Sequence, residues 1–357
     1  MIEINFLCQW SFNKKKTWSG TCYSLLKSLS KITKVKNINY NYFFYKIFIR
    51  LGLLKKDLGV RYIRIVRLLN KKLKFKKTDI VFQFDDYANT GKTYKYIDSS
   101  LGYLIHLYNT DYESFMHSNF RNISIEALKK RYEIEKQYFH TEATGIFTMS
   151  KWLQNYLINV EKIPSTKVHY AGGGVNVDVT KIDRQNKNGK RFLFIGRDFE
   201  RKGGQLVIES FKKLQVKYND IELYVAGPKS NPVKEVVPNY YFQGDVDSSK
   251  LFNLYNLCDY FVMPSYFEMY GLVFIEALTF GLPCIGRNCY EMPNFIEDGK
   301  TGFLLKNDDP DELFKLMENL LFKSEIRENV IKHHDIYLKE YSWDEVAKRI
   351  YNVMVKN

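Results

Sequence analysis

A chain of 357 residues, 45% of them apolar, can build two domains of ordinary size, each with its own core. The formal charge of +14 is localised: residues 1–77 hold 19 Lys or Arg against two acids, Glu3 and Asp57, and the other 280 residues sum to −3. A membrane-spanning helix is excluded, because no stretch reaches the roughly 18 uninterrupted apolar residues it requires; the nearest, 42–54, is broken by Lys46 and Arg50.

The first residues, MIEINFLCQW, carry Glu3 and no basic run before their apolar residues, so they read as a first strand and not a secretion signal, and the expected location is the cytoplasm. The pattern then predicts a helix over 21–31 and strands over 79–85 (DIVFQFD), 103–109 (YLIHLYN) and 145–150 (GIFTMS), the last followed by the helix KWLQNYLI. Residues 171–190 are Gly-rich, polar and without apolar periodicity, as a hinge is. Beyond them, strands at 192–196, 221–227, 240–246 and 259–264 alternate with helices over 204–217, 248–258 and from Gly271 onward. Alternation of this kind winds helices around a parallel sheet. The expectation is therefore an α/β chain of two Rossmann-like, doubly wound domains facing across a cleft, over 1–170 and 191–335, with a closing helix in 336–357 that packs back on the first domain. Five scattered cysteines, Cys8, Cys22, Cys258, Cys284 and Cys289, lack CxxC spacing and nearby histidines, which disfavours disulfides and zinc.

The basic charge of the first domain is clearest over 61–74, where Arg61, Arg64, Arg67, Lys71, Lys72 and Lys74 share one helical arc and apolar residues share the other. Such a helix packs on a sheet with a solvated basic face, lies on an anionic membrane surface, or does both. Nucleic acid is not an expected partner, since no RNA- or DNA-binding module accompanies the charge.

The segment MPSYFEMYGLVFIE (263–276) follows a strand and enters an apolar helix at Gly271, with Glu268 and Glu276 eight positions apart. Amides at such a helix start have no internal partner and suit a phosphate. The carboxylates would repel that anion, so they fit the hydroxyls of a sugar or ribose; the alternative is an acid favouring its helix start and a solvated Glu one turn on. Upstream, IGRDFERKGG (195–204) places Arg197 and Lys202 between a strand and a Gly-assisted helix start, where two cations meet a polyanion. Asp245-Val246-Asp247 has the form of a metal-binding Asp-x-Asp, but it follows a strand in a domain that already supplies Arg and Lys for a diphosphate.

With GRDFERKGG, VAGP (225–228), YYFQGDV, LYNLCDYFVMPSYFEMYGLVFIEALTFGLPCI (254–285), DGKTGFLL (298–305) and the terminal YSW in place, the chain resembles the family 4 retaining glycosyltransferases of the GT-B fold over nearly its whole length. The loop KTWSGTCYSLLKSL (16–29) and GGGVNVD (172–178) resemble the family more loosely. The resemblance implies that Glu276 holds the ribose of a nucleotide-sugar donor and Glu268 the transferred sugar, within the donor-binding segment Met269, Tyr270, Gly271 and Leu272. It implies further that Arg197 and Lys202 hold the diphosphate, that backbone near Val246 contacts the base, that Gly20 approaches the phosphates or sugar, and that no metal or other cofactor is needed. For the acceptor side it offers Asp111, with His106 as runner-up. UDP-sugars are the favoured donors and GDP-sugars the second choice, with a glycan, lipid-linked or protein hydroxyl as acceptor. A nucleotide-sugar epimerase of the same fold and a non-catalytic relative are the competing readings.

Overall fold

The computed structural model describes residues 2–39, 75–85, 88–180, 182–183 and 187–356. The basic helix expected at 61–74 lies outside them. Contacts divide the chain into two compact units, Met1–Gly173 with Trp343–Asn357, and Gly174–Ser342.

The first unit is a parallel sheet of β1 (Glu3–Cys8), β2 (Lys34–Asn39), β3 (Ile80–Gln83), β4 (Lys92–Ile97), β5 (Gly145–Thr148) and β6 (Val168–Tyr170), in the order β2-β1-β3-β4-β5-β6. Its central strands are covered on both faces, so β3 and β5 are buried end to end, as parallel strands flanked by helices must be. Phe6, Phe82, Tyr96 and Phe147 fill the interior, with Phe82 of β3 at the centre, stacked on Phe6 of β1 and in tilted contact with Tyr96 of β4 and Phe147 of β5. Each buried ring of this size contributes roughly 1.5–3 kcal/mol.

Residues 103–109, read from the sequence as a strand, form part of the helix Leu101–Thr110. Ser100 decides this: its hydroxyl accepts the Tyr103 amide at 3.3 Å and caps the helix, while Leu104 and Leu107 meet the core at helical spacing. The strand in this position is instead KTYKYI, whose Lys95 is buried because Glu135, on the helix Ile125–Gln137, pairs with it at 3.1 Å.

The second unit repeats the plan with β7 (Arg191–Ile195), β8 (Glu222–Ala226), β9 (Tyr240–Gly244), β10 (Tyr260–Val262), β11 (Cys284–Arg287) and β12 (Gly302–Leu305), in the order β12-β11-β10-β7-β8-β9. The expected helices over 204–217 and 248–258 appear as Gly204–Lys217 and Ser248–Leu257. Residues 334–340 form a separate helix of this unit, whose His334 Nδ1 lies 2.9 Å from the Thr279 carbonyl.

The closing helix proper runs Trp343–Lys356 and belongs to the first unit. It packs on the helix Thr21–Ile32, pairs Asp344 with Lys31 at 2.8 Å, and donates from Arg349 Nε to the Ala171 carbonyl at 2.7 Å. Among the described residues no helix is long and apolar enough to cross a membrane, and all five cysteines are free thiols.

Candidate functional site

In the second sheet the chain runs outward from β7 to β8 and β9 on one side, and from β10 to β11 and β12 on the other. The loops after β7 and β10 therefore part company at the carboxyl edge, which is where doubly wound sheets leave room for a ligand. They carry residues 196–203 and 263–271.

The two loops are knitted together. The Tyr266 amide donates to the Arg201 carbonyl at 2.9 Å, and the Arg201 guanidinium donates to the Phe267 carbonyl. Gly203, at φ 76°, caps the helix Gly204–Lys217, and a Cβ there would lie 2.4 Å from the Pro264 carbonyl oxygen. Only glycine permits this approach. Gly271, at φ 94° and ψ 66°, does the same for the helix Leu272–Thr279, so the first amides of that helix, beginning at Leu272, point to the edge where the loops meet.

The predicted charged residues gather here. Lys202 forms an ion pair with Glu268, both side chains 13% exposed, and Arg201 lies 3.8 Å from the same carboxylate. Burial, and then the Arg201 guanidinium, push the Lys202 ammonium well below the usual lysine range, against the pull of Asp198. Arg197 is more open; its Nε lies 3.1 Å from the Asp245 carboxylate. Met269 and Tyr270 are buried beneath the loop, Tyr270 against Phe295, and Val246 stands two residues past the end of β9. The Asp-x-Asp acids hold separate positions: Asp245 faces Arg197, and Asp247 caps the helix Ser248–Leu257 through the Lys250 amide at 2.9 Å.

Glu276 is buried in the second turn of its helix, 4% exposed. One carboxylate oxygen accepts the Asn176 amide at 3.1 Å and the other the Tyr255 hydroxyl at 3.0 Å. Burial dominates those two bonds and pushes its pKa up to about 7. A carboxylate has about four acceptor positions, so two hydroxyls can still be taken in. Nothing in the sequence marks Asn176 and Tyr255 as its partners, since they lie 100 and 21 residues away. Arg201 also escaped the sequence reading, although it stands in the same basic turn.

In the first unit Gly20, at φ 95°, caps the helix Thr21–Ile32 at the carboxyl edge of β1. His106 lies exposed on the helix Leu101–Thr110, not inside a strand, and makes ring contact with Tyr103 at 6.2 Å. Asp111 does not follow a strand either. It sits between two helices and caps Tyr112–Met116, accepting the Ser114 amide at 3.0 Å and the Ser114 hydroxyl at 2.6 Å. Those bonds hold its carboxyl below the usual range. Ten helical residues, about 15 Å of rise, separate it from the residues that follow β4. The acid at the carboxyl end of β4 is Asp98, whose pKa is raised by burial against the Ser99 hydroxyl. It is hidden in the sequence because the apolar run 103–109, one element later, has the look of the strand that KTYKYI in fact forms.

Residues 178–335 match the family of glycosyl transferases group 1. An uncharacterized glycosyltransferase of Methanocaldococcus jannaschii is 27% identical over 243 residues, 61% of this chain and 61% of that protein. The phosphatidyl-myo-inositol mannosyltransferase of Mycobacterium tuberculosis is 25% identical over 195 residues, 50% of this chain and 52% of that one. The chain thus matches between about half and three fifths of these two relatives' lengths. WaaG, a glycosyltransferase involved in lipopolysaccharide biosynthesis, superposes with a TM-score of 0.69 at 13% identity, covering 99% of this chain and 100% of that one. At that identity the likeness establishes the fold. The chain therefore has the GT-B fold, and its residues 178–335 are similar to the glycosyl transferases group 1 family.

Proposed function

We propose that this protein is a retaining, metal-independent glycosyltransferase that moves a sugar from a nucleoside-diphosphate sugar to a hydroxyl acceptor. The observation that carries the reading is the meeting of Lys202, Arg201 and Glu268 with the Gly271-capped helix start at the switch point of the second sheet.

Cleavage of the glycosidic bond leaves charge on the departing diphosphate, and fixed cations and amides lower the barrier most when they lie where that charge develops. In this reading the diphosphate takes Lys202 from Glu268 and receives the Gly271 and Leu272 amides, while Arg197 swings in from Asp245. Glu268, relieved of its partner, accepts hydroxyls of the transferred sugar. Glu276 accepts the ribose hydroxyls, and backbone near Val246 meets the base. Cations that neutralise the leaving group remove the need for a metal in that role. The mannosyltransferase and WaaG support the reaction class, as proteins named for sugar transfer and for lipopolysaccharide assembly. The +17 balance of residues 1–77 supports a location on the cytoplasmic membrane face.

The test is transfer from radiolabelled UDP- and GDP-sugars, with and without EDTA, with the anomeric configuration of the product read by NMR. Transfer with retention, unchanged by EDTA, is expected. Inversion, or activity that EDTA abolishes and manganese restores, overturns the corresponding part of the reading. Conversion of the free donor without acceptor would make the protein an epimerase.

A further inference from the structure

The first sheet has its own switch point. Its chain passes from β1 to β2 on one side, while β3 leads to β4 on the other, so the loops after β1 and β3 diverge at the carboxyl edge. The loop after β1 ends in the turn Lys14–Gly20, where Trp18 (φ 50°), Ser19 (φ 55°) and Gly20 (φ 95°) are left-handed in succession. A left-handed conformation costs a side chain such as tryptophan roughly 1–2 kcal/mol, and such strain persists where surrounding structure enforces it, often at ligand sites.

The strain sets an indole on this edge. Trp18 is 38% exposed, and on its buried side it meets the rings of Phe84 at 5.3 Å and Tyr96 at 6.1 Å, both nearly edge-on. Tyr96 is itself fixed, its hydroxyl donating to the Gly172 carbonyl at 2.6 Å. Asp98 stands two residues beyond Tyr96, immediately past the end of β4, and the two interact electrostatically. The edge thus combines a rigid aromatic plane, backed by other rings, with a carboxylate at its border. A flat apolar surface beside a hydroxyl acceptor matches a pyranose, which has an apolar C–H face and a rim of hydroxyl donors. A phosphoglycerol or phosphoethanolamine headgroup, which has no ring, offers no such face.

We propose that the hydroxyl acceptor is itself a carbohydrate, whose sugar ring lies on Trp18 and whose hydroxyls donate to Asp98. This rests on the transferase reading above for its place in a reaction, but not for the binding it asserts.

The test titrates the full chain with a panel of methyl and nitrophenyl glycosides, followed by tryptophan emission and by calorimetry. In parallel, UDP and GDP are assayed by thermal shift, and glycerophosphate and sugar-free phosphatidylglycerol vesicles serve as comparison ligands. At least one glycoside is expected to bind saturably, with affinity falling about tenfold in Trp18→Ala and in Asp98→Asn and largely retained in Trp18→Phe, which keeps an aromatic plane. Retention in the phenylalanine variant separates loss of stacking from loss of folding. Glycoside binding unchanged in Trp18→Ala and Asp98→Asn, or no binding by the wild type to any glycoside, overturns the proposal. So does phosphate- or vesicle-dependent binding that displaces the glycoside without regard to Trp18. Failure of both nucleotides to stabilise the wild type counts against the donor reading alone, because glycoside binding is measured without them.

Discussion

Replacing Glu276 by Gln should raise stability and weaken donor binding at once. The carboxyl is buried and its pKa lies at about 7, above the 4.5 of a free glutamate. A group raised in this way contributes stability below its unfolded pKa and loses it as pH rises through the folded one. At 1.36 kcal/mol per pKa unit, the shift amounts to ~3 kcal/mol, all of it lost by about pH 8. The second unit is thus expected to be less stable at pH 8 than at pH 5 when empty. Gln removes the charge and can keep both partners, its oxygen accepting the Asn176 amide and its NH2 donating to a reoriented Tyr255 hydroxyl.

Denaturation at about pH 5 and about pH 8 measures the effect. The four tryptophans, Trp10, Trp18, Trp152 and Trp343, all belong to the first unit, so their emission is an internal control. Hydrogen exchange of the helix Leu272–Thr279 reports the second unit. The wild-type loss of protection between the two pH values should largely vanish in Glu276→Gln, while the tryptophan transition stays in place. Binding moves the other way: hydrogen bonds from ribose hydroxyls to a charged group are worth about 1.5–3 kcal/mol, so affinity for the preferred nucleoside diphosphate should fall about 10- to 100-fold. The wild type should also reject the 2′-deoxy nucleotide, and the variant should not. Equal affinity for both nucleotides in the wild type would refute the ribose assignment. A pH profile unchanged by the substitution would refute the electrostatic argument.

Lys202→Ala should lower affinity for nucleoside diphosphates about tenfold or more while sparing the free nucleoside, by calorimetry, since a charge-assisted bond to phosphate is lost. Gly203→Ala forces a side chain into a left-handed backbone and against the Pro264 carbonyl 2.4 Å away, so roughly 2–4 kcal/mol of destabilisation is expected by urea titration. Gly244→Ala is its control: φ is 72°, nothing lies within 4 Å, and the cost should be about 1 kcal/mol. In the first unit Glu161, which accepts the Ser100 hydroxyl and is pushed by burial to about 7, carries the same sign as Glu276. Glu161→Gln should flatten the fall of the tryptophan-detected stability between pH 5 and 8, leaving hydrogen exchange in Leu272–Thr279 unchanged.

The second unit was legible because each apolar strand there is followed by its own punctuation. Gly203 and Gly271 stand where a left-handed residue must start a helix, with Arg197 and Lys202 just before the first and Glu268 and Glu276 on either side of the second. The first unit hid its edge. The β4 strand KTYKYI looks too polar to be central, because what makes Lys95 tolerable inside is Glu135, 40 residues on. The apolar run YLIHLYN then reads as the missing strand, since short apolar runs do not distinguish strand from buried helix. That single shift moved the expected edge acid from Asp98 to Asp111. The partners of Glu276 were hidden for the same reason: a chain pattern records periodicity, not the long-range donors that settle on a buried carboxylate.

On the proposed reading, the pairing of Lys202 with Glu268 links the donor to its sugar. A buried cation beside Arg201 would be costly if left alone, and Glu268 lowers that cost in the empty site. A bound diphosphate supplies a stronger anion for the same cation, so the carboxylate loses its partner only when a donor arrives. It then needs hydrogen-bond donors of its own, which the sugar hydroxyls provide. On that reading, donor binding and sugar recognition are coupled through one ammonium, and a nucleoside diphosphate without its sugar leaves Glu268 with Arg201 alone, 3.8 Å away. The sugar should therefore add about as much affinity to the diphosphate in wild type as in Lys202→Ala, where Glu268 keeps only Arg201, 3.8 Å away, from the start. A sugar increment clearly larger in Lys202→Ala than in wild type, measured by calorimetry with the diphosphate and its sugar ester, would mean that Lys202 stays on Glu268 and would rule out this exchange.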